Sequence, residues 1–247
     1  MATYTIVSST TDPLGPGEIA AGGTITVSPG DVFVIDPSAN SNITFVASSG
    51  GPHDFDVVFN DSNANTFKVI TSANLRPSVT IADNSNLSNV DIEAQSSEGL
   101  TLDVGHNASL GKLDGSGAAD TITIGDGFTA TGDWNTLNGA DVLTVGDNAT
   151  FLKLKTGNQN DTVTFGNGAN FGEIDTEGGN DTITLGDDAT GGNIQAGNGD
   201  DTVRTGNREN VSTVDGASGN DNYTTQTSGT NPSNMESTSV VCYAPAP

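Results

Sequence analysis

The chain of 247 residues has a single cysteine, a single tryptophan and only 7 Lys and Arg residues. One cysteine excludes an internal disulfide and any zinc knuckle built from paired cysteines. Seven cations cannot form the basic patch that contacts nucleic-acid phosphates, so we expect no nucleic-acid partner. No apolar run reaches the roughly 18 residues of a membrane helix, so we expect no membrane insertion.

Acidic residues and glycine are abundant instead. The 31 Asp and Glu residues give a net charge of −24, and 32 residues are glycine. A hydrophobic content of 33% with this charge resembles the composition of disordered chains, but the apolar residues recur in a fixed order. No signal peptide of the general secretory type is visible at the N-terminus. An acidic chain with one cysteine suits a saline, calcium-rich exterior, so we expect an extracellular or cell-surface location.

A repeat of about 20 residues organises the second half of the chain. Each unit begins with an aspartate, and in the first four units the second and fourth residues after it are apolar, as in Ile183 and Leu185. The residues between them are mostly threonine, and this alternation predicts a half-buried strand. The units begin at Asp120, Asp141, Asp161, Asp181, Asp201 and Asp221.

A second strand is predicted in each unit. One apolar position lies seven residues before the next aspartate, at Leu113, Trp134, Leu154, Ile174, Ile194 and Val214. Another position lies three residues earlier, at Leu110, Thr131, Phe151, Phe171, Gly191 and Val211. One unit cannot bury its apolar side alone, but stacked units can, with strands about 4.8 Å apart. We therefore predict an all-β fold, a parallel β-solenoid with coils of about 20 residues.

Three regions follow from this pattern. Residues 1–99 contain short β-rich runs and are predicted to form irregular solenoid coils with a leading strand. Residues 100–221 form the regular solenoid. Residues 222–247 are rich in Ser, Thr and Asn and lose the apolar rhythm, which predicts a polar cap or tail.

Stacking turns each repeated aspartate into a row of carboxylates. Because Ca²⁺ binds carboxylates and turn carbonyls, the row is a candidate calcium site. The alternative is that each aspartate caps its turn by accepting backbone N–H bonds. The candidate calcium ligands are Asp141, Asp161, Asp181, Asp200, Asp201 and Asp221.

The segments Gly197-Asn-Gly-Asp-Asp201 and Gly178-Gly-Asn-Asp181 resemble the repeats of RTX-type calcium-binding proteins. The resemblance implies calcium bound between coils through glycine-rich turns and aspartates. It covers about half of each coil over residues 115–221, and only the segment from Gly197 to Asp201 keeps the full spacing. Calcium is the one cofactor that the sequence suggests.

The chain also resembles the N-terminal solenoids of secreted marine α-proteobacterial proteins that continue into a Hint domain. Cys242-Tyr-Ala-Pro245 matches the beginning of that domain, but Ala246 and Pro247 replace its Gly-Thr. We therefore expect no self-splicing activity and interpret Cys242 as a lone thiol. Regular Thr-x-Thr segments resemble those of ice-binding proteins, although threonine is also common in exposed strands.

We expect no enzymatic activity. His53 and His106 are isolated in sequence, and a catalytic site would interrupt the aspartate repeat rather than follow it. The primary hypothesis is an extracellular structural protein that assembles head to tail into filaments, a surface layer or a matrix through open solenoid ends. The alternatives are a calcium-dependent RTX-type adhesion module that contacts a cell surface or polysaccharide and, more remotely, an ice-binding solenoid. The predicted assembly residues are Thr3, Tyr4, Thr5, Ile6 and Val7 at one end and Asp201, Val203 and Tyr223 at the other.

Overall fold

The computed structural model describes residues 2–7, 17–20, 23–35, 43–47, 53–60, 67–71, 74–94, 97–226, 232–233 and 237–240. These residues form strands and turns without a helix. Cys242 lies outside the described residues. The strands are β1 (Thr3–Val7), β2 (Glu18–Ala20), β3 (Gly23–Val27), β4 (Val32–Ile35), β5 (Ile43–Ala47), β6 (His53–Phe59), β7 (Phe67–Thr71), β8 (Leu75–Ile81), β9 (Asn86–Leu87), β10 (Val90–Ala94), β11 (Thr101–Val104), β12 (Ser109–Leu110), β13 (Leu113–Asp114), β14 (Thr121–Ile124), β15 (Thr129–Ala130), β16 (Trp134–Asn135), β17 (Val142–Val145), β18 (Thr150–Lys155), β19 (Thr162–Phe165), β20 (Asn170–Asp175), β21 (Thr182–Leu185), β22 (Thr190–Gln195), β23 (Thr202–Thr205), β24 (Asn210–Asp215), β25 (Asn222–Thr225), β26 (Pro232–Ser233) and β27 (Ser237–Val240).

The strands form two parallel sheets, and each coil adds one strand to each sheet. The order in the first sheet is β2-β1-β4-β6-β8-β11-β14-β17-β19-β21-β23-β25-β27. The main order in the second sheet is β26-β24-β22-β20-β18-β16-β13-β10-β7-β5-β3, with β9, β12 and β15 attached at its side. In the first sheet Val163 pairs with Ile183, and Ile183 pairs with Val203. The predicted parallel β-solenoid with coils of about 20 residues is confirmed.

A narrow apolar core runs between the two sheets. The inward positions predicted from the period of two are buried, including Ile183, Ile174 and Trp134, each at 0% exposure. Trp134 contacts Phe128 and Phe151 edge-on and donates from Nε1 to the carbonyl of Gly111 at 3.0 Å. The sequence reasoning missed one further inward column, in the turn between the sheets, made of Ala108, Phe128, Ala149, Ala169 and Ala189.

One predicted core position was wrong. Leu110 pairs with Ala130 and not with Thr131. Ala130 is buried, whereas Thr131 is exposed and its hydroxyl donates to the carbonyl of Ser88. The reason is that this coil carries one extra residue, which is accommodated after Ala130, so counting back from the aspartate shifts the position by one.

Gly191 occupies a core column in which its neighbours in register are Phe171 and Val211. A Cβ atom at Gly191 would lie 2.2 Å from the Phe171 ring, so this ring already fills the space. We therefore expect Gly191→Val to lower the free energy of unfolding by about 1–3 kcal/mol, as overpacking does. Urea unfolding followed by circular dichroism measures the change, and Gly191→Val in a Phe171→Ala background is the control that should recover stability. A stabilised single variant would contradict the packing described here.

Most of the predicted assembly residues lie inside the sheets, whereas Thr3 and Tyr4 pair with β4 but extend beyond β2. Thr5, Ile6 and Val7 of β1 pair with β2 on one side, and β1 pairs with β4 on the other. At the other end β25 pairs with both β23 and β27. Because a further strand covers each predicted end, the outermost described strands are β2 and β3 at one end and β26 and β27 at the other.

Candidate functional site

The repeated aspartates form the most unusual feature of the core. We call them the aspartate column, and its members are Asp120, Asp141, Asp161, Asp181, Asp201 and Asp221. Each is between 1% and 2% exposed. Each lies directly before a first-sheet strand, on the same side as the inward residues two and four positions later. The chain therefore directs these carboxyls into the solenoid.

The aspartates connect neighbouring coils. The backbone N–H of Asp141 donates to Oδ1 of Asp161 at 2.8 Å, and the N–H of Asp161 donates to Oδ1 of Asp181 at 2.8 Å. The same bond recurs from Asp120 to Asp141 and from Asp181 to Asp201. The carboxyls thus accept backbone N–H bonds, as the capping alternative proposed, but from the preceding coil. Asp120 also accepts the N–H of Ser116 in its own turn, at 2.9 Å.

The second carboxyl oxygen has a different environment. Oδ2 of Asp141, Asp161, Asp181 and Asp201 is buried without an aligned hydrogen bond. Threonine hydroxyls lie beside the carboxyls of Asp141, Asp161 and Asp181. Those of Thr136 and Thr176 donate instead to backbone carbonyls of the next coil, at 3.0 and 2.7 Å. Such an oxygen is stabilised when it carries a proton or faces a cation, because a buried anionic oxygen without a donor is costly.

Burial raises the pKa of these carboxyls. It raises the pKa of Asp120 and Asp181 to about 6 and that of Asp161 and Asp201 to about 7, against an ordinary value of 3.8. Hydrogen bonds from the backbone oppose the shift, and for Asp161 the charges of Asp141 and Asp181 add to it. The pKa of Asp141 is also raised by burial. The column therefore binds protons close to neutral pH.

Asp200 does not belong to the column. It is exposed, and its Oδ1 accepts the N–H of Asn220 at 3.0 Å, while its own N–H donates to Oδ1 of Asn180 at 3.0 Å. A second outer row lies at the opposite turn, where Oδ1 of Asp147 accepts the N–H of Asn167 at 2.6 Å. In both outer rows a side chain accepts from the following coil, which is opposite to the direction in the aspartate column.

Neither of the two histidines belongs to the aspartate column. His53 is 7% exposed at the beginning of β6. His106 lies in an exposed turn, where Nδ1 accepts the N–H of Asp126 at 3.0 Å. Within the part of the chain that the structure describes, no group of three or more His, Cys, Asp or Glu side chains is arranged to hold a metal ion.

Sequence reasoning located the aspartates but missed two other polar features of the core. One is the row of hydroxyl residues Thr136, Thr156 and Thr176, which is visible as a threonine five residues before Asp141, Asp161 and Asp181. The other is a polar end of the core, where Glu209 occupies the position of Ala189 and accepts a hydrogen bond from Thr225 at 2.9 Å. In the last regular coil, a polar side chain thus takes the place of the apolar side chain that occupies this inward column in the preceding coils.

The fold and this repeated site define the class of the protein, a parallel β-solenoid repeat protein. Comparison with family models, with curated proteins and with solved structures found no match to the chain. Among the described residues there is no helix with the length and hydropathy needed to span a bilayer.

Proposed function

We propose that the chain is an extracellular structural protein that assembles head to tail into filaments. The observation that carries the proposal is the presence of outermost strands at both ends of both sheets, β2 and β3 at one end and β26 and β27 at the other. In the described residues each of these strands pairs on one side only. An unpaired strand edge presents backbone N–H and C=O groups that a second chain can satisfy.

The geometry of a solenoid favours this contact. All strand pairs are parallel, so a second copy placed along the solenoid axis continues both sheets with the direction already used inside the molecule. Natural edge strands are commonly protected by lysine or proline. Neither β3 nor β27 contains a charged residue, and only β26 contains a proline, Pro232. Because the contact joins two different ends it does not close, and it therefore produces filaments.

The net charge sets the conditions for assembly. At −24 the copies repel one another, and no Lys or Arg occurs before Lys68 or after Arg208 to offset the repulsion at either end. Exposed charges are screened beyond about 8 Å at physiological ionic strength and over shorter distances in more saline media. We therefore expect assembly to be favoured by high salt or divalent cations.

A calcium-binding module is the second candidate. Its support is the buried Oδ2 atoms of Asp141, Asp161, Asp181 and Asp201, which lack aligned donors and are of the oxygen type that Ca²⁺ prefers. Electron microscopy with and without EDTA separates the candidates. Filaments that persist in EDTA support assembly as the main function, whereas a monomer whose melting temperature rises with calcium supports the module.

Two lysines on the open edge test the head-to-tail contact. Thr24 and Thr26 of β3 are exposed and flank the buried Ile25. We expect Thr24→Lys/Thr26→Lys to prevent filament formation, because charged lysines on an edge strand oppose pairing with another chain. This outcome is expected even though the substitutions reduce the net negative charge. Light scattering and negative-stain microscopy at seawater-like ionic strength measure it.

The matched control is Asn193→Lys/Gln195→Lys in β22, near the middle of the same sheet. These exposed residues flank the buried Ile194, and lysine already occupies the equivalent positions at Lys153 and Lys155 in β18. The control has the same charge change and should form filaments as readily as the natural chain. A natural chain that remains monomeric at every salt and protein concentration would refute head-to-tail assembly, as would equal filament formation by both variants.

A further inference from the structure

The outer surface of the first sheet carries two regular columns of side chains, which we call the threonine face. The two residues contributed by each strand are separated by one inward residue. One column contains, in register, Ser78, Thr101, Thr121, Val142, Thr162, Thr182, Thr202 and Asn222. The other contains Thr80, Asp103, Thr123, Thr144, Thr164, Thr184, Arg204 and Thr224. These side chains are exposed or half-buried.

The charges on this face are placed symmetrically. In a chain with a net charge of −24, the four strands β14, β17, β19 and β21 present no charged side chain on this surface. In the second column, an uncharged stretch of threonines lies between Asp103 and Arg204. Five coil steps separate the two residues, which is about 24 Å at the usual strand spacing. One negative and one positive group therefore bracket four threonines.

Arg204 is available for a contact outside the molecule. Of the cations whose side chains the structure describes, Arg204 alone makes no ion pair. The ion pairs of the others are Arg76 with Asp54 and Glu98, Lys112 with Asp114, Lys153 with Glu173, Lys155 with Asp175 and Glu177, and Arg208 with Asp188. Asp103 likewise makes no ion pair among these residues.

We propose that the threonine face binds the threonine face of a second copy of this chain, with the two solenoid axes antiparallel. A two-fold axis that lies between the faces, parallel to the strands, and passes between the levels of Thr144 and Thr164 reverses the order of each column. It places Asp103 of each copy opposite Arg204 of the other. Such an isologous contact closes on itself and gives a dimer.

The alternative arrangement, with parallel solenoid axes, is less favourable. It would place the two Asp103 side chains at the same level across the interface, and the two Arg204 side chains at another common level. Like charges at this separation repel, and opposite charges no longer meet. In the antiparallel arrangement the remaining positions match uncharged residues to uncharged residues, with Thr80 opposite Thr224 and Thr101 opposite Thr202.

The size of the face predicts the strength of the contact. Eight coils at about 4.8 Å and four residues at about 3.3 Å give on the order of 500 Å² per copy. Stable complexes bury about 800 Å² per partner, so the isolated dimer should be weak. If the chain assembles head to tail as proposed above, each filament repeats the face many times, and multivalent contacts would join filaments side by side.

Charge reversal tests the dimer in the edge-blocked Thr24→Lys/Thr26→Lys chain, which separates it from head-to-tail assembly. Sedimentation equilibrium measures the dimer dissociation constant. Asp103→Arg and Arg204→Asp should each raise it by about tenfold or more, because each creates like-charge contacts. Arg208→Asp is the control for Arg204→Asp, with an equal charge change away from the face, and should alter it by less than about threefold.

Mixing the variants gives the decisive result. An equal mixture of Asp103→Arg and Arg204→Asp chains pairs Arg with Asp at both contacts, so heterodimers should form with a dissociation constant within about threefold of the unreversed chain. The double variant Asp103→Arg/Arg204→Asp keeps the net charge and should also dimerise. A monomer at all concentrations, or a dimer that is insensitive to both reversals, would overturn the proposal. Dimers without filaments in the natural chain would overturn only the head-to-tail function.

Discussion

Replacement of Ile183 by aspartate is expected to abolish folding or to lower the free energy of unfolding by about 4 kcal/mol or more. Ile183 is fully buried and pairs in register with Val163 above it and Val203 below it. The carboxylate would lie in a core one side chain wide, where repeated coils on both sides leave no route to solvent. Circular dichroism and urea unfolding at pH 8 measure the loss.

Thr182→Asp is the matched control for this prediction. Thr182 is the preceding residue of the same strand, and its side chain lies on the outer surface of the sheet. The Thr182→Asp substitution should therefore lower the free energy of unfolding by less than about 1 kcal/mol, as most surface substitutions do. Equal destabilisation by the two variants would contradict the assignment of inward and outward residues, on which the aspartate column and the threonine face both depend.

The stability of the solenoid is expected to fall as the pH rises from about 4 to about 8, by on the order of 5 kcal/mol. Burial raises the pKa of Asp120, Asp161, Asp181 and Asp201 to about 6 to 7 in the folded chain, against 3.8 ordinarily. A carboxyl with a raised pKa binds its proton more tightly when the chain is folded. Its contribution to stability is therefore complete below pH 4 and is lost as the pH passes through 6 and 7. Chemical unfolding at a series of pH values tests the sign.

Asp161→Asn identifies the source of this dependence. The asparagine keeps an oxygen that accepts the N–H of Asp141, and its amide can donate to the hydroxyl of Thr156, which has no aligned partner in the natural chain. We expect the variant to be more stable than the natural chain by about 1–3 kcal/mol at pH 8 and to show a shallower pH dependence. The control Asp147→Asn, in the exposed turn, should leave the slope unchanged. A variant less stable at pH 8 in the absence of calcium would contradict the prediction.

The sequence predicted the regular coils because their geometry is periodic. A period of two within a strand and of 20 between coils fixes which side chains lie inside, and Ile183, Ile174 and Trp134 follow it. The same period extends back to the aspartates. Asp161 has the same parity as the inward residues Val163 and Phe165, so its burial could have been inferred from the pattern alone.

The ends of the solenoid could not be predicted in the same way. β2 and β27 are short strands outside the repeat, and their pairing with β1 and β25 depends on tertiary contacts that leave no periodic signal. The pairing of Ala130 with Leu110 was not predicted for a related reason, since an inserted residue changes the spacing from the aspartate without changing the composition. The calcium hypothesis and the head-to-tail hypothesis depend on groups that lie outside the chain, and for that reason both stay predictions.

The opposed directions of the side-chain bonds have a consequence for synthesis on the ribosome. In the aspartate column the N–H of each coil is satisfied by the carboxyl of the next coil, whereas in the outer rows it is satisfied by the preceding coil. A newly made coil can thus dock its outer turns at once, but its buried amide waits until about 20 further residues have emerged. If the chain folds from the N-terminus during synthesis, one coil with an unsatisfied buried amide is therefore always at the leading end, and folding advances one coil behind translation.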